Sequence, residues 1–172
     1  MAFLEGGVGE TIFWPPKNGF PPQKKEVNNM SVKQISIFLE NKPGFLAEVT
    51  KVLGQNNIDM RALSVAESSD FGIARIIVDD VYKTTTVLKD AGYINSVIDI
   101  LAVALPDVPG GLSNVLNVLA DAKVNIEYMY AFLGGKTGGA YMVFKVADQD
   151  KAAAALNKYR IRMVDQEELG EL

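Results

Sequence analysis

The sequence contains no cysteine, no histidine and a single tryptophan, and no apolar run approaches the roughly 20 residues that cross a bilayer as a helix. Without cysteine there can be no disulfide, no thiolate nucleophile and no cysteine-ligated metal, which suits a reducing compartment. The missing histidine removes more function. It takes away the commonest general base and the commonest transition-metal ligand together, and with them histidine-dependent triads, histidine-held zinc and haem. Basic residues are also in deficit, 17 Lys and Arg against 21 Asp and Glu, for a net charge of -4 and a pI near 4.9. No basic stripe appears, so a nucleic-acid backbone finds no footprint. The expectation is a soluble, cytoplasmic protein with no cofactor, no metal, no nucleic-acid partner and no membrane partner.

What the sequence does have is internal repetition. Residues 41 to 53, "NKPGFLAEVTKVL", and 107 to 119, "DVPGGLSNVLNVL", are identical at six of thirteen positions with an offset of 66. The same offset carries Ile35, Ile37 and Leu39 onto Leu101, Val103 and Leu105, so one alternating apolar parity leads into both segments. It also pairs "NIDM" with "KVNI". Farther on, Lys83 and Leu88 match Lys151 and Leu156 at 68, and Tyr93 matches Tyr159 at 66 again. The reading is a tandem duplication that gains two residues near the second hairpin and loses two before its end, as surface loops do around a kept core. With 172 residues, 48% of them hydrophobic, the chain can bury one sizeable core or two small ones.

The first 29 residues stand outside the repeat. They hold the only Trp and four of the seven Pro, with no sustained period, and they lack the basic start and apolar stretch of a signal peptide. Two readings stand side by side. In one, Met30 is the natural start and the leader is an upstream extension; in the other, the leader is an arm that packs Trp14 and Phe20 on the body.

Within each unit the periods order the elements. Residues 32 to 40 alternate as a strand, and "FLAEVTKVLGQNN" puts Phe45, Leu46, Val49, Val52 and Leu53 on one helical stripe. Two strands then flank a Ser-Ser-Asp turn. A weaker helix follows, "VYKTTTVLKDAG", with a Thr run poor for helix and Gly92 placed to end it; "YINSVID" is a strand. The second unit repeats the order through "ILAVALP", "GLSNVLNVLADAK", "VNIEYMYAFL", "GAYMVFKVA", "DKAAAALNKY" and "IRMVDQ". The last strand of unit one runs into the first of unit two near residues 98 to 100 with almost no linker. The fold class is therefore α+β, two ferredoxin-like βαββαβ units, antiparallel sheets with helices packed on one face, over residues 30–98 and 99–172.

Chemistry can enter at the Pro-Gly turns. Asn41 and Asp107 sit at strand ends, where they can cap free amides. Pro43 and Pro109 suit a first helical position, and Gly44 and Gly110 let a ligand approach the backbone. A helix start of this kind attracts a carboxylate. The plain alternative is a tight strand-to-helix connection and nothing more.

"ENKPGFLAEVTKVLGQNNIDM" and "PDVPGGLSNVLNVLADAKVNI" resemble the Asp/Asn-x-Pro-Gly-x-Leu turn, helix and following strand start of ACT domains, small regulatory modules that bind amino acids. The resemblance covers residues 32 to 166 as two consecutive domains, similar to stand-alone tandem members without a catalytic domain. It implies ligands held where the first turn and helix start of one domain face the second strand of a neighbour. Carried over, it nominates Asn41, Pro43, Gly44, Phe45, Leu46, Asp59 and Met60 in unit one. In unit two it nominates Asp107, Pro109, Gly110, Gly111, Leu112, Asn125 and Ile126. Amides of residues 44 to 46 or 110 to 112 would hold a ligand carboxylate and Asp107 its ammonium. Asn41 can accept only a neutral hydrogen bond, so the Asp107 turn is expected to be the better site. The resemblance also implies a homodimer and a regulated enzyme or other protein partner.

Tyr128, Tyr130 and Phe132 share one strand face where unit one has Ala62, Ser64 and Ala66. Core or interface is the preferred reading for this row over a side-chain pocket. The Gly-rich run at 133 to 141 departs from a phosphate loop in spacing and joins two strands, so it reads as a hairpin. Lys136 and the carboxylates Glu48, Asp59, Asp79 and Asp80 form no constellation that demands acid-base work.

Overall fold

The computed structural model describes residues 30–67, 71–134 and 139–170. The leader, the Ser-Ser-Asp turn and the tip of the Gly-rich hairpin with Lys136 lie outside them. Unit one contributes β1 (Ser31–Glu40), α1 (Phe45–Gln55), β2 (Met60–Glu67), β3 (Phe71–Val78) and α2 (Val81–Asp90). Strand β4 (Asn95–Leu105) comes next, followed by α3 (Gly111–Asp121), β5 (Ile126–Gly134), β6 (Gly139–Val146), α4 (Gln149–Lys158), β7 (Met163–Val164) and α5 (Gln166–Gly170).

Strand β4 belongs to both units. Its first part closes the first βαββαβ unit against β1, from Asn95 opposite Ile37 to Leu101 opposite Ser31. Its second part opens the next unit against β6, from Leu101 opposite Phe144 to Leu105 opposite Ala140, and takes β7 at Ala102 and Val103. The two expected sheets are thus one antiparallel sheet of seven strands in the order β2-β3-β1-β4-β6-β5, with β7 beside β4. The division expected between residues 98 and 99 falls inside this strand.

Alternation sorts the side chains into three cores. Ile35, Ile37 and Leu39 face α1 and α2 with Val49, Leu53 and Leu88. Leu101, Val103 and Leu105 face α3 and α4 with Val115, Leu119 and Leu156. The opposite parity, Val32, Ile100, Ala102 and Ala104, meets Ala62, Ile77, Tyr141 and Val143 in a third core that joins residues from both ends of the sheet. The sheet must therefore curl until its edge strands β2 and β5 come together, with the helices outside. Met30 is buried in the core of unit two, under α4.

Helix ends follow local chemistry. Asp80 and Asp148, 68 apart, cap α2 and α4 by accepting from the amides of Lys83 and Lys151 at 2.9 and 3.0 Å. The Thr run survives because Thr84 is fully buried and its hydroxyl bonds back to the Asp80 carbonyl at 2.6 Å. All four long helices stop in paired bonds through a residue with positive φ: Asn57, Gly92, Lys123 and Arg160. In α2 the amides of Gly92 and Tyr93 reach Lys89 and Leu88; in α4 those of Arg160 and Ile161 reach Asn157 and Leu156.

Two expectations need correction. The offset of 68 holds through this helix end, so the counterpart of Tyr93 is Ile161, and the Tyr93 and Tyr159 match at 66 is coincidental. The final strand expected over "IRMVDQ" shrinks to two residues. The chain then turns at Asp165 into α5, which has no counterpart in unit one and buries Leu169 completely in the third core.

Candidate functional site

The two Pro-Gly turns are built alike. After each strand a tight turn forms, Lys42 amide to Glu40 carbonyl at 2.8 Å and Val108 amide to Pro106 carbonyl at 2.9 Å. Gly44 and Gly110 then adopt φ of 88° and 86°, the left-handed region that glycine enters without strain, and serve as the helix N-caps. This corrects two sequence readings. The helices begin at Phe45 and Gly111, so Pro43 and Pro109 precede the first helical position by two residues. Neither helix start carries a side-chain cap, so Asn41 and Asp107 do not cap it.

Both carboxylate-length side chains at these turns are consequently left in solvent, together with Pro43, Gly44, Pro109 and Gly110. Of the amides nominated to hold a ligand, that of Phe45 already donates to the Lys42 carbonyl at 3.3 Å and that of Gly111 to the Val108 carbonyl at 3.0 Å. The amides of Gly44, Leu46, Gly110 and Leu112 have no hydrogen bond among the described residues, as helix starts leave them. Unbonded amides at the start of an 11-residue helix attract negative charge.

The remaining nominated residues divide by polarity. Phe45, Leu46 and Met60 pack on the core of unit one, and Leu112 and Ile126 on that of unit two. Phe45 meets Tyr93 edge to face, ring centroids 5.7 Å apart. Asp59 and Asn125 are exposed. Asp59 is engaged from two sides: Arg61 Nη1 lies 3.2 Å from its carboxylate, and its amide donates to Asp79 Oδ1 at 3.1 Å. Within a unit the first helix, 11 residues or roughly 16 Å long, separates the turn from the second strand's start. Asn41 and Asp59, or Asp107 and Asn125, therefore cannot share a ligand inside one unit. Gly111 is buried, and a Cβ there would lie 2.7 Å from the Pro106 carbonyl oxygen, which explains why Phe45 has a glycine as its counterpart.

The aromatic row lies between the units. Tyr130 Oη donates to Gln34 Oε1 at 3.0 Å, and Gln34 Nε2 donates to Tyr128 Oη at 2.8 Å and Ser36 Oγ at 3.1 Å. Arg75 stacks over the Tyr128 ring at 4.1 Å, and Phe132 stacks on Tyr141 at 5.3 Å. Gln34 is wholly buried, and burial, with Tyr128 beside it, pushes the Tyr130 hydroxyl far above the ordinary tyrosine pKa. The row is the seam that joins the two units, packed into the third core on the sheet face away from α1 to α4. Sequence inspection missed Gln34 and Arg75, because each sits singly in an apolar strand.

A family model for the ACT domain pair matches residues 30–172. The chain belongs to the ACT domain family. A crystal structure of a protein from Bacteroides thetaiotaomicron is 41% identical, covering 84% of this chain and 99% of that one with a TM-score of 0.79. The ligand-free regulatory subunit of aspartate kinase from Thermus thermophilus shares the fold at 14% identity and a TM-score of 0.55, over 74% of this chain and 91% of that one. No curated protein matches the chain significantly. Among the described residues of this ACT pair, no group of three or more acidic side chains could hold a metal ion, and no helix is long and apolar enough to cross a membrane.

Proposed function

We propose that this ACT pair is a cytoplasmic, non-catalytic regulatory protein that binds a free amino acid at its Pro-Gly turns. The observation that carries the reading is the matched pair of exposed helix starts, each opened by a left-handed glycine and leaving two nominated amides unbonded. At the second turn Asp107 adds a carboxylate for the ligand ammonium, where Asn41 offers only a neutral acceptor, so the site around Asp107, Pro109, Gly110, Gly111 and Leu112 is the stronger one.

The 16 Å separation within each unit gives the homodimer a role. For Asp59 and Met60, or Asn125 and Ile126, to take part, a turn must meet the second strand of another unit, and a second copy of the chain supplies one. The regulated partner is an enzyme or other protein outside this chain. Light scattering that finds only the 18.7 kDa monomer at micromolar concentration argues against the dimer.

Thermal unfolding against the twenty amino acids tests the binding itself. A ligand at a hundred times its Kd adds about 2.7 kcal/mol, and each kcal/mol raises the midpoint by roughly 2 to 4 °C for a body of this size. A rise confined to one chemical group of amino acids, lost in Asp107→Ala, is the expected result. An unchanged rise in that variant removes Asp107 from the site. No rise for any amino acid favours the second reading, an ACT interaction module that acts on its partner through oligomerisation without a ligand.

A further inference from the structure

Lys33 and Asp99 are cross-strand partners on β1 and β4, and they are also counterparts in the 66-residue repeat. Two residues can be both only where the two-fold relation between the units passes between them. Their side chains stand on the helix side of the sheet and form an ion pair at 2.7 Å. An open hollow of 310 Å³ lies on one side of this pair, where the start of α4 meets the start of β1.

The hollow presents both signs of charge. Lys33 supplies an ammonium, Asp99 and Asp150 supply carboxylates, and Leu101 and Ala153, each 3% exposed, form an apolar floor. The Asp99 carboxyl is held below its ordinary pKa, chiefly by its hydrogen bond with Lys33, and stays ionised. Gln149 Nε2 is spent on the Asp99 carbonyl and Asp148 on the Lys151 amide. The amides of Gln149 and Asp150, at the electropositive start of α4, have no hydrogen bond among the described residues. A ligand of one sign would satisfy half of this lining and be repelled by the rest. A zwitterion meets all of it, and the volume is at the lower end of the range for small-molecule sites.

We propose that the hollow is a second ligand site, separate from the Pro-Gly turns, that takes one free amino acid with a short apolar side chain. Its carboxylate lies toward Lys33 and the α4 start, its ammonium toward Asp99 and Asp150, and its side chain on Leu101 and Ala153. Among the described residues there is one such site. Across the axis the counterparts of Gln149, Asp150 and Ala153 are Val81, Tyr82 and Thr85, which carry no charge.

The test is a titration of the full chain with L-alanine, followed residue by residue in amide nitrogen–proton NMR spectra. Shifts are expected at Ser31, Lys33, Asp99, Gln149 and Asp150, with acetate and methylammonium binding there at least about tenfold more weakly. Ser31→Leu fills the hollow and keeps both charges, losing only the Ser31 hydrogen bond to Asp99, and is expected to abolish these shifts while leaving the rest of the spectrum in place. Lys33→Met is expected to weaken binding by about tenfold. Shifts confined to residues 41–46 or 107–112 overturn this site and leave amino-acid binding at the turns intact. No shift anywhere overturns both, and unchanged alanine affinity in Ser31→Leu overturns this site alone.

Discussion

Continued two residues past Ile35 and Ile76, the register of β1 and β3 brings Lys33 opposite Val78, and the side-chain amide of Gln166 bonds to both. Gln166 Oε1 accepts from the Lys33 amide at 2.8 Å, and Gln166 Nε2 donates to the Val78 carbonyl at 3.3 Å. A side chain from α5 thus bridges the two strands beyond the last pair of their ladder. Arg61 Nη2 adds a bond to the Gly170 carbonyl at 2.6 Å, so the end of the described chain is pinned to unit one at both ends of α5.

Gln166→Ala removes both bonds; water can replace the partner of the exposed Lys33 amide, so the expected cost is about 0.5 to 1.5 kcal/mol. Gln166→Glu keeps the acceptor for Lys33 but cannot donate to Val78, so urea melts should place it between the wild type and the alanine variant.

Tyr130→Phe removes the donor to the buried Gln34 Oε1, at a cost of about 1 to 3 kcal/mol near neutral pH. The pH dependence has a definite sign. The folded pKa of Tyr130 lies above the unfolded value near 10. Its contribution is therefore complete below pH 10 and is lost as pH rises toward the folded value. Urea midpoints of wild type and Tyr130→Phe, compared from pH 8 upward, should converge above pH 10.

Asp99 has the opposite sign. Its folded pKa is lowered, first by the hydrogen bond with Lys33, so its contribution is present above the unfolded carboxylate value near 4 and disappears as pH falls through the folded one. Both side chains are more than two-fifths exposed, at 49% and 43%, which keeps the worth of the pair to about 0.2 to 1 kcal/mol. Asp99→Asn should be less stable than wild type by that amount at pH 7. The difference should shrink as pH falls below 4 and vanish once Asp99 is protonated in the folded protein.

Two glycines give opposite results on substitution by alanine. Gly54 lies within α1 with nothing within 4 Å of an added Cβ, so Gly54→Ala should stabilise by about 0.5 to 1 kcal/mol. At Gly111 the added Cβ meets a carbonyl oxygen at 2.7 Å, and Gly111→Ala should destabilise by about 1 to 3 kcal/mol as the backbone shifts. Thermal melts of the two variants side by side check both signs.

The periods of the sequence were enough to place the elements, because Ile35, Ile37 and Leu39 alternate and Val49, Val52 and Leu53 fall on one helical stripe. They also singled out the aromatic row as three large side chains on one strand face, without showing which surface it covers. What they did not carry was anything that depends on which strands meet in space. Nothing local at residues 98 to 100 distinguishes a short linker from an uninterrupted strand, and a lone Gln34 in an apolar run gives no sign of the two tyrosines it will meet. The tail was misread for a physical reason: "DQEELG" is too short and polar to show a period, and α5 owes its place to Leu169 and Gln166, both satisfied by distant residues. At the turns, apolar spacing identified the helices, but the left-handed Gly44 and Gly110 moved the helix starts beyond the prolines.

Strand β4 also bears on how the chain comes together. Neither repeat can finish its ladder on its own, because the strand that closes the first is the strand that opens the second, and Ser31 must find Leu101 across most of the first repeat. Unfolding one half would strip a hydrogen-bonded edge from the other, so the two repeats should melt in a single transition despite their duplicated origin. In native-state hydrogen exchange, the amides from Ile100 to Val103, flanked by β1, β6 and β7, should be among the last to open.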